Sequence, residues 1–212
     1  MADAPRAPKL PPLEGWVQVD ESVDTPFELG PVSVVARTII AEDASTRETV
    51  PAAADGPWRF VFASRLTVHP QTPPSKALTK LVARGAKSGF ESQLAERGFS
   101  NVRQTGSRSL RIGTVDAEVT QYEATVSLAG VRLAAGAMFA VRPDGDQFLL
   151  TGGAYPRAVL ETTEGASRNR RRDTPENTTA NATETVDTHA LRRALDPEKF
   201  RRELLRAIRE TT

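Results

Sequence analysis

The stretch SRSLRIGTVDAEVTQYEATVSLAGVRLAAGAMFAVRPDGDQFLLTGGAY, residues 107–155, decides the fold of this chain. Short turns divide it into four extended segments: residues 107–113, 115–128, 131–142 and 147–155. In the last turn Pro143 presets φ, and Gly145 accepts the positive φ that follows. A parallel crossover needs about a dozen residues or more, so links this short require antiparallel neighbours. The stretch therefore predicts an antiparallel meander.

Side-chain parity changes within the second segment of the meander. Ala117 and Val119 share one parity, whereas Tyr122 and Ala124 share the other. A slip of one residue turns every later side chain to the opposite face of a strand. We therefore expect a β-bulge or a strong bend near residues 120–121.

The third segment is apolar on both faces, which predicts a central strand. One face carries large side chains such as Leu133 and Phe139, and the opposite face carries Ala134, Gly136 and Ala140. Small side chains allow close approach, so we expect another element to pack tightly on that second face.

Further strands are expected before the meander. Residues 58–68 alternate between apolar and polar side chains, which predicts a core strand. Residues 16–19 and 32–41 predict two others, and residues 44–56 read as a polar loop.

Two helices are expected outside the meander. The first spans residues 76–97, with Ser75 as its N-cap and Gly98 as the left-handed residue beyond its end. The second spans residues 197–210 and begins at Pro197, which follows an aspartate N-cap. Each carries an apolar stripe, so both helices should pack against the sheet.

These elements predict an α+β fold in which an antiparallel meander packs with a long helix and a C-terminal helix. The expected organisation has four parts: a proline-rich flexible N-terminus at residues 1–14, a core domain at 15–160, a polar disordered linker or insertion at 161–187, and a C-terminal helical part at 188–212 that packs back on the core. The linker is assigned on composition, because so few apolar side chains cannot offset the entropy lost on ordering.

Gly85 and Gly89 lie inside the long helix, where each costs about 1 kcal/mol relative to alanine. Four residues apart, they share one side of the helix. We interpret them as a flat patch that lets the helix sit close to the small face of the third meander segment. The alternative is a groove that faces a ligand.

The overall composition excludes several classes of protein. The chain has no cysteine, which excludes disulfides, thiolate metal sites and a cysteine nucleophile. A net charge of +1 provides no overall field that would attract nucleic acid. No signal peptide and no apolar run long enough for a membrane span are found, so we expect a soluble cytoplasmic protein without excluding export.

No set of side chains in the sequence predicts a catalytic, cofactor or metal site. His69 is expected to be a strand-end residue, and Asp144 and Asp146 are explained by turn chemistry. Gly152 and Gly153 lie inside a predicted strand, so close packing or a bulge explains them better than a phosphate-binding loop.

The basic run Arg168, Arg170, Arg171 and Arg172 could contact phosphates, but it lacks aromatic residues for base stacking. We therefore interpret it as part of a solvated linker. Two N-glycosylation sequons, at residues 177–179 and 181–183, would matter only in an exported chain.

The order of elements resembles the PsbP/Mog1-like α/β/α sandwich. Together with the strand at residues 58–68 and the C-terminal helix, the segment FLLTGGAYP at residues 148–156 is similar to an uncharacterised family from halophilic archaea. The resemblance covers residues 15–160 and 188–210 and implies no known activity. The broader fold implies partner binding rather than catalysis.

Two functional hypotheses follow. The first is a non-enzymatic protein-binding or scaffold module without a cofactor, whose protein partner and oligomeric state the sequence leaves open. The second is a small-molecule or lipid-binding domain that uses a cleft between the long helix and the sheet. A closed helix–sheet interface would favour the first, and a deep apolar cavity would favour the second.

Overall fold

The computed structural model describes residues 4–29, 32–49, 59–128, 130–162 and 188–212. The strands are β1 (Trp16–Leu29), β2 (Val32–Asp43), β3 (Phe60–His69), β4 (Phe99–Ile112), β5 (Val115–Leu128), β6 (Val131–Asp144) and β7 (Gln147–Thr162). The helices are α1 (Ala44–Thr49), α2 (Lys76–Glu96), α3 (Thr188–Ala194) and α4 (Pro197–Glu210). The strands form a seven-stranded sheet in the order β1-β2-β3-β7-β6-β5-β4, antiparallel at every pair.

The predicted α+β fold and its antiparallel meander are confirmed, because β4, β5, β6 and β7 lie side by side in chain order and each pairs with the next. β4 begins at Phe99 rather than at residue 107, and β1 extends to Leu29 rather than ending at residue 19. Both are edge strands with many exposed polar side chains. The alternation that identifies a strand is weak where both faces meet solvent.

β5 itself carries no bulge, although its pairing with β4 shifts at the predicted place, between Gln104 and Gly106 opposite Tyr122 and Gln121. β5 pairs with β6 without interruption from Glu118 opposite Val141 to Leu128 opposite Val131. The change of parity arises because the two halves of β5 bury opposite faces. Its first half contributes to the core beneath α4, and its second half contributes to the core beneath α2.

The core beneath α2 is built around Phe90. Its ring centroid lies 5.6 Å from that of Phe62, 5.6 Å from that of Tyr122 and 5.3 Å from that of Phe139. Aromatic pairs at such distances add stability beyond the area that they bury. The helix–sheet interface is therefore closed at this point. Leu81, expected on the apolar stripe, is 47% exposed.

The core beneath α4 lies on the opposite face of the sheet. Phe200, Leu204 and Ile208 are buried there against strand residues. α3 instead places Leu191 in the core beneath α2, so the chain passes from one face to the other between α3 and α4. Leu195 contacts both cores at this crossing.

The predicted helix ends are confirmed by their hydrogen bonds. Ser75 Oγ accepts from Leu78 N at 3.2 Å, and Gly98 has a φ of +84°. Asp196 Oδ1 accepts from Lys199 N at 2.9 Å, ahead of Pro197. These contacts satisfy backbone groups that a helix end leaves without a partner.

The N-terminal segment was predicted to be flexible, and the described part of residues 1–14 is instead docked. Lys9 and Thr212 exchange both backbone hydrogen bonds, at 2.6 Å and 3.0 Å. Pro5 and Pro8 are buried. The prediction was based on the proline-rich composition of this segment. Composition does not show that the segment pairs with residues just beyond α4. Of the predicted linker at residues 161–187, residues 161 and 162 instead form the end of β7, and residues 163–187 lie outside the described residues.

No helix in the described ranges is both long enough and apolar enough to cross a membrane.

Candidate functional site

Gly85 and Gly89 do not contact the sheet. Both are exposed on α2, and a Cβ added at either position would meet no atom within 4 Å. The small face of β6 lies on the α4 side of the sheet, whereas α2 covers the other side. The interpretation of these glycines as close-packing positions is therefore wrong, because periodicity does not tell which face of the sheet a helix covers.

The small face of β6 instead forms part of an open recess on the α4 side of the sheet, which we call the alanine recess. Its volume is about 530 Å³. Its lining comprises Asn101, Arg103, Glu123, Ala124, Thr125, Ala134, Ala135, Arg157, Ala158, Pro197 and Glu198. These residues come from β4, β5, β6, β7 and the start of α4.

The recess exists because α4 covers only part of this face. α4 packs against the half of β6 that carries Met138 and Ala140. Beyond the start of α4, Ala134 is half-buried and Ala158 is exposed. The expected tight packing on the small face is therefore correct for one half of the strand and wrong for the other.

Gly136 lies at the boundary between the covered and open halves of this face. A Cβ there would lie 3.0 Å from Tyr155 Cζ and 3.1 Å from Arg157 Cδ. The absence of a side chain thus allows Tyr155 and the stem of Arg157 to lie against β6. Arg157 is thereby placed at the rim of the recess.

Glu123 organises the rim of the alanine recess. Its Oε1 accepts from Arg157 Nη1 at 2.8 Å, and its Oε2 accepts from Arg103 Nη2 at 2.9 Å. The hydrogen bond from Arg157, together with the charges of both arginines and the hydrogen bond from Arg103, lowers the pKa of Glu123 against the opposing effect of desolvation. The carboxylate therefore stays ionised at neutral pH, and both guanidinium groups are held at the rim.

Asn101 forms another part of the rim through an irregularity in β4. The pairing of β4 with β5 shifts between Ser100 and Arg103, and Asn101 has a φ of +52°. Its Nδ2 donates to Thr125 Oγ1 at 3.0 Å. β-Bulges, and residues other than glycine that have a positive φ, often occur beside functional sites.

A second opening lies between the N-terminal half of α2 and the strands β4 to β6, with a volume of about 630 Å³. Its lining includes Lys76, Lys80, Arg108, Asp116 and Glu118. This cleft is open to solvent and mixes charged residues with small polar and apolar ones. Next to it the ring of Phe90 fills the interface between α2 and the sheet. The described helix–sheet interface therefore does not form the deep, enclosed cavity that the lipid-binding hypothesis requires.

A buried charge cluster surrounds Arg59, and no sequence pattern had indicated it. Arg59 Nη1 lies 2.5 Å from Asp43 Oδ2, and its other terminal nitrogen contacts the Glu203 carboxylate. The guanidinium carbon lies 4.7 Å from the ring centroid of Trp16 and 4.0 Å from that of Phe200. Strand alternation indicated the face of Arg59 correctly, but gave no sign that α4 would bury it.

The remaining candidates for chemistry have structural roles. Asp144 pairs with Arg65 at 3.0 Å, and Asp146 Oδ2 accepts from Gln71 Nε2 at 3.1 Å. His69 ends β3, and its Nε2 is buried without a hydrogen-bond partner among the described residues. No group of three metal-ligating side chains occurs in the part of the chain that the structure describes.

The surroundings of Gly152 and Gly153 confirm the prediction that these two glycines of β7 allow close packing. A Cβ at Gly152 would lie 2.7 Å from both Met138 O and Phe139 Cβ, and one at Gly153 would lie 2.1 Å from Phe60 O. The arginine run at residues 168–172 and both sequons lie outside the described residues.

The sequence matches the family model described as "Domain of unknown function (DUF6517)" over residues 9–212. The chain belongs to the DUF6517 family. None of the curated proteins with which this DUF6517 sequence was compared matches it. Among solved structures, the DUF6517 chain is similar to the crystal structure of LpqN, a protein described as involved in cell envelope biogenesis of Mycobacterium tuberculosis. The identity is 14%, the match covers 70% of each chain, and the TM-score is 0.31.

The DUF6517 match confirms the coarser part of the expected resemblance, which is membership of a family of unknown function. The likeness to PsbP/Mog1 proteins and the origin in halophilic archaea stay predictions, as does the cytoplasmic location.

Proposed function

We propose that this DUF6517 protein is a non-enzymatic module that binds another protein through the alanine recess. The observation that supports the proposal is an uncovered floor at Ala134 and Ala158 inside a rim of charged side chains. Protein interfaces combine an apolar centre with a polar rim in this way.

The floor suits the insertion of an apolar side chain from the partner. Alanine and threonine side chains leave the sheet backbone close to the surface, so an inserted group would approach it closely. At about 530 Å³, the recess is in the size range of pockets that bury a compact group. Burial of an inserted apolar side chain would supply the main favourable term.

The rim suits an acceptor group next to that side chain. Arg103 and Arg157 each use one terminal nitrogen on Glu123. A guanidinium has five N–H donors, so both arginines keep donors for a partner carboxylate or carbonyl. Since Glu123 already orients them, less side-chain entropy is lost when the partner binds.

The test compares two substitutions in matched positions. Ala158→Glu places a charge on the floor, and Leu81→Glu places the same charge on the opposite side of the molecule, where Leu81 is 47% exposed. The tagged parent and both variants are used to capture partners from the native host, and recovered proteins are quantified by mass spectrometry.

We expect at least one protein that the parent and Leu81→Glu recover equally and that Ala158→Glu recovers at a strongly reduced level. Thermal unfolding of both variants verifies that they are folded. Equal recovery of every partner by the parent and a folded Ala158→Glu variant would contradict the assignment of the recess as the binding surface.

A further inference from the structure

The two edges of the sheet carry opposite charge. β1 and β4 are the edge strands, and each has 14 residues. β1 contains four acidic residues and no basic one: Asp20, Glu21, Asp24 and Glu28. β4 contains three basic residues and no acidic one: Arg103, Arg108 and Arg111.

The acidic edge also exposes apolar side chains. Val17, Val19 and Val23 of β1 are 49%, 50% and 51% exposed. A long edge strand with exposed apolar side chains offers unpaired backbone groups and a surface that a further strand can cover. Register shifts lie between Gln18 and Asp20 and between Asp24 and Phe27, and Pro26 has no N–H donor. The regular stretch of β1 that can accept a partner strand is therefore Asp20 to Asp24.

Some of the charged side chains on the two edge strands have no ion-pair partner within the described residues. Asp20, Asp24 and Arg108 form no ion pair within the described residues. Arg103 and Arg111 are paired with carboxylates of β5, but those side chains are between 44% and 71% exposed. The Arg111 pair lies outside the alanine recess, and an exposed pair contributes only about 0–1 kcal/mol, so Arg111 can turn to a carboxylate of a neighbouring copy.

We propose that copies of this chain associate edge to edge, with β1 of one copy pairing with β4 of the next. The two edges complement each other in charge. Pairing β1 with β1 would instead oppose acidic side chains, and pairing β4 with β4 would oppose arginines. A contact between two different edges is head-to-tail, so it leaves one edge of each kind free and adds further copies, as a ring or an open chain, when concentration rises.

Two variants block one edge each. Val23→Lys with Asp24→Lys changes β1, and Arg108→Glu with Arg111→Glu changes β4. The control, Lys80→Glu with Arg84→Glu, reverses two charges on exposed positions of α2, as the β4 variant does on its edge. Sedimentation equilibrium over a range of concentrations measures the mass of each protein and of the two edge variants mixed in equal amounts.

We expect the parent and the α2 control to gain mass as concentration rises, and this gain to weaken in high salt. Each edge variant alone should stay monomeric, with an association constant lower by roughly tenfold or more. Their mixture should associate, because one variant keeps an intact β4 and the other keeps an intact β1, and because the substituted side chains on the two altered edges are again opposite in charge.

Three results would overturn the proposal: a parent that stays monomeric at its highest soluble concentration, a β4 variant that dimerises alone, or a mixture of folded variants that yields no dimer. If a double variant fails to fold by circular dichroism, Asp24→Lys and Arg108→Glu serve as single substitutions, which should lower association in the same direction.

Discussion

Arg59 and Asp43 form an ion pair in the interior of the protein, with Nη1 2.5 Å from Oδ2 and each side chain 3% exposed. Arg59 also contacts Glu203 of α4 and lies against the rings of Trp16 and Phe200. One guanidinium thus links the start of β1, the end of β2 and the middle of α4. The contact fixes α4 over one half of the sheet and leaves the alanine recess beside it.

We predict that Arg59→Met destabilises the fold by about 3–5 kcal/mol, because it leaves the Asp43 carboxylate buried without its cation. This is a large part of the total stability of a domain of this size. Urea unfolding of the parent and the variant measures the difference.

The matched control is Arg37→Met, since Arg37 pairs with Glu21 at 2.7 Å on the surface, where the side chains are 34% and 38% exposed. A surface pair contributes about 0–1 kcal/mol. Equal unfolding free energies for the two variants would show that the buried cluster adds little to the stability.

A second prediction concerns pH. Burial alone would raise the pKa of Asp43, but hydrogen bonds from Thr46 and Ser45 and the charge of Arg59 outweigh it and hold the pKa below its usual 3.8. When the folded pKa is depressed, the unfolded chain takes up the proton first as pH falls. The resulting stabilisation is fully present above the unfolded pKa and is lost as pH falls through the folded pKa.

We therefore expect the stability gap between the parent and Asp43→Asn to be largest at neutral pH and to shrink below the unfolded pKa of about 4. Urea unfolding of both proteins across this acidic range measures the gap. A gap that stays constant with pH would mean that Asp43 stabilises the fold by its shape and hydrogen bonds rather than by its charge.

A third prediction concerns Asn101, which has a φ of +52° at the rim of the recess. A Cβ-bearing residue pays roughly 1–2 kcal/mol in this conformation unless its side chain offers local hydrogen bonds, as asparagine does. Asn101→Ala should therefore be less stable than Asn101→Gly, although both lose the hydrogen bond to Thr125. Thermal unfolding compares the two variants, and a more stable alanine variant would show that the irregularity in β4 relaxes without cost.

The parts of the fold that depend on neighbours in sequence were predictable. The turn at Pro143 and Gly145 identified a hairpin, and the caps at Ser75 and Asp196 located two helix starts. In each case the physical cause lies within about four residues, because turns and caps are closed by local hydrogen bonds.

The parts that depend on distant residues were not predictable. The parity change in β5 and the burial of Arg59 both depend on which face of the sheet each helix covers. Arg59 and its partner Glu203 are 144 positions apart in the sequence. The alanine recess likewise combines Asn101 with Pro197 and Glu198. No local sequence pattern shows which distant residues will be in contact. The small residues on one face of β6 predicted close packing, but they did not show whether another element would cover that face.

The last prediction compares two glycines with opposite surroundings. Gly89 lies in the middle turns of α2, on the side that faces solvent, with open space around it. Gly89→Ala should therefore stabilise the protein by up to about 1 kcal/mol through helix propensity. Gly152→Ala should destabilise it by about 1–3 kcal/mol, because the new Cβ would lie 2.7 Å from Met138 O in a filled core. Thermal and urea unfolding of both variants beside the parent measure the two changes. A loss of stability in Gly89→Ala would mean that α2 packs through its glycine side after all, and the assignment of this side to solvent would be wrong.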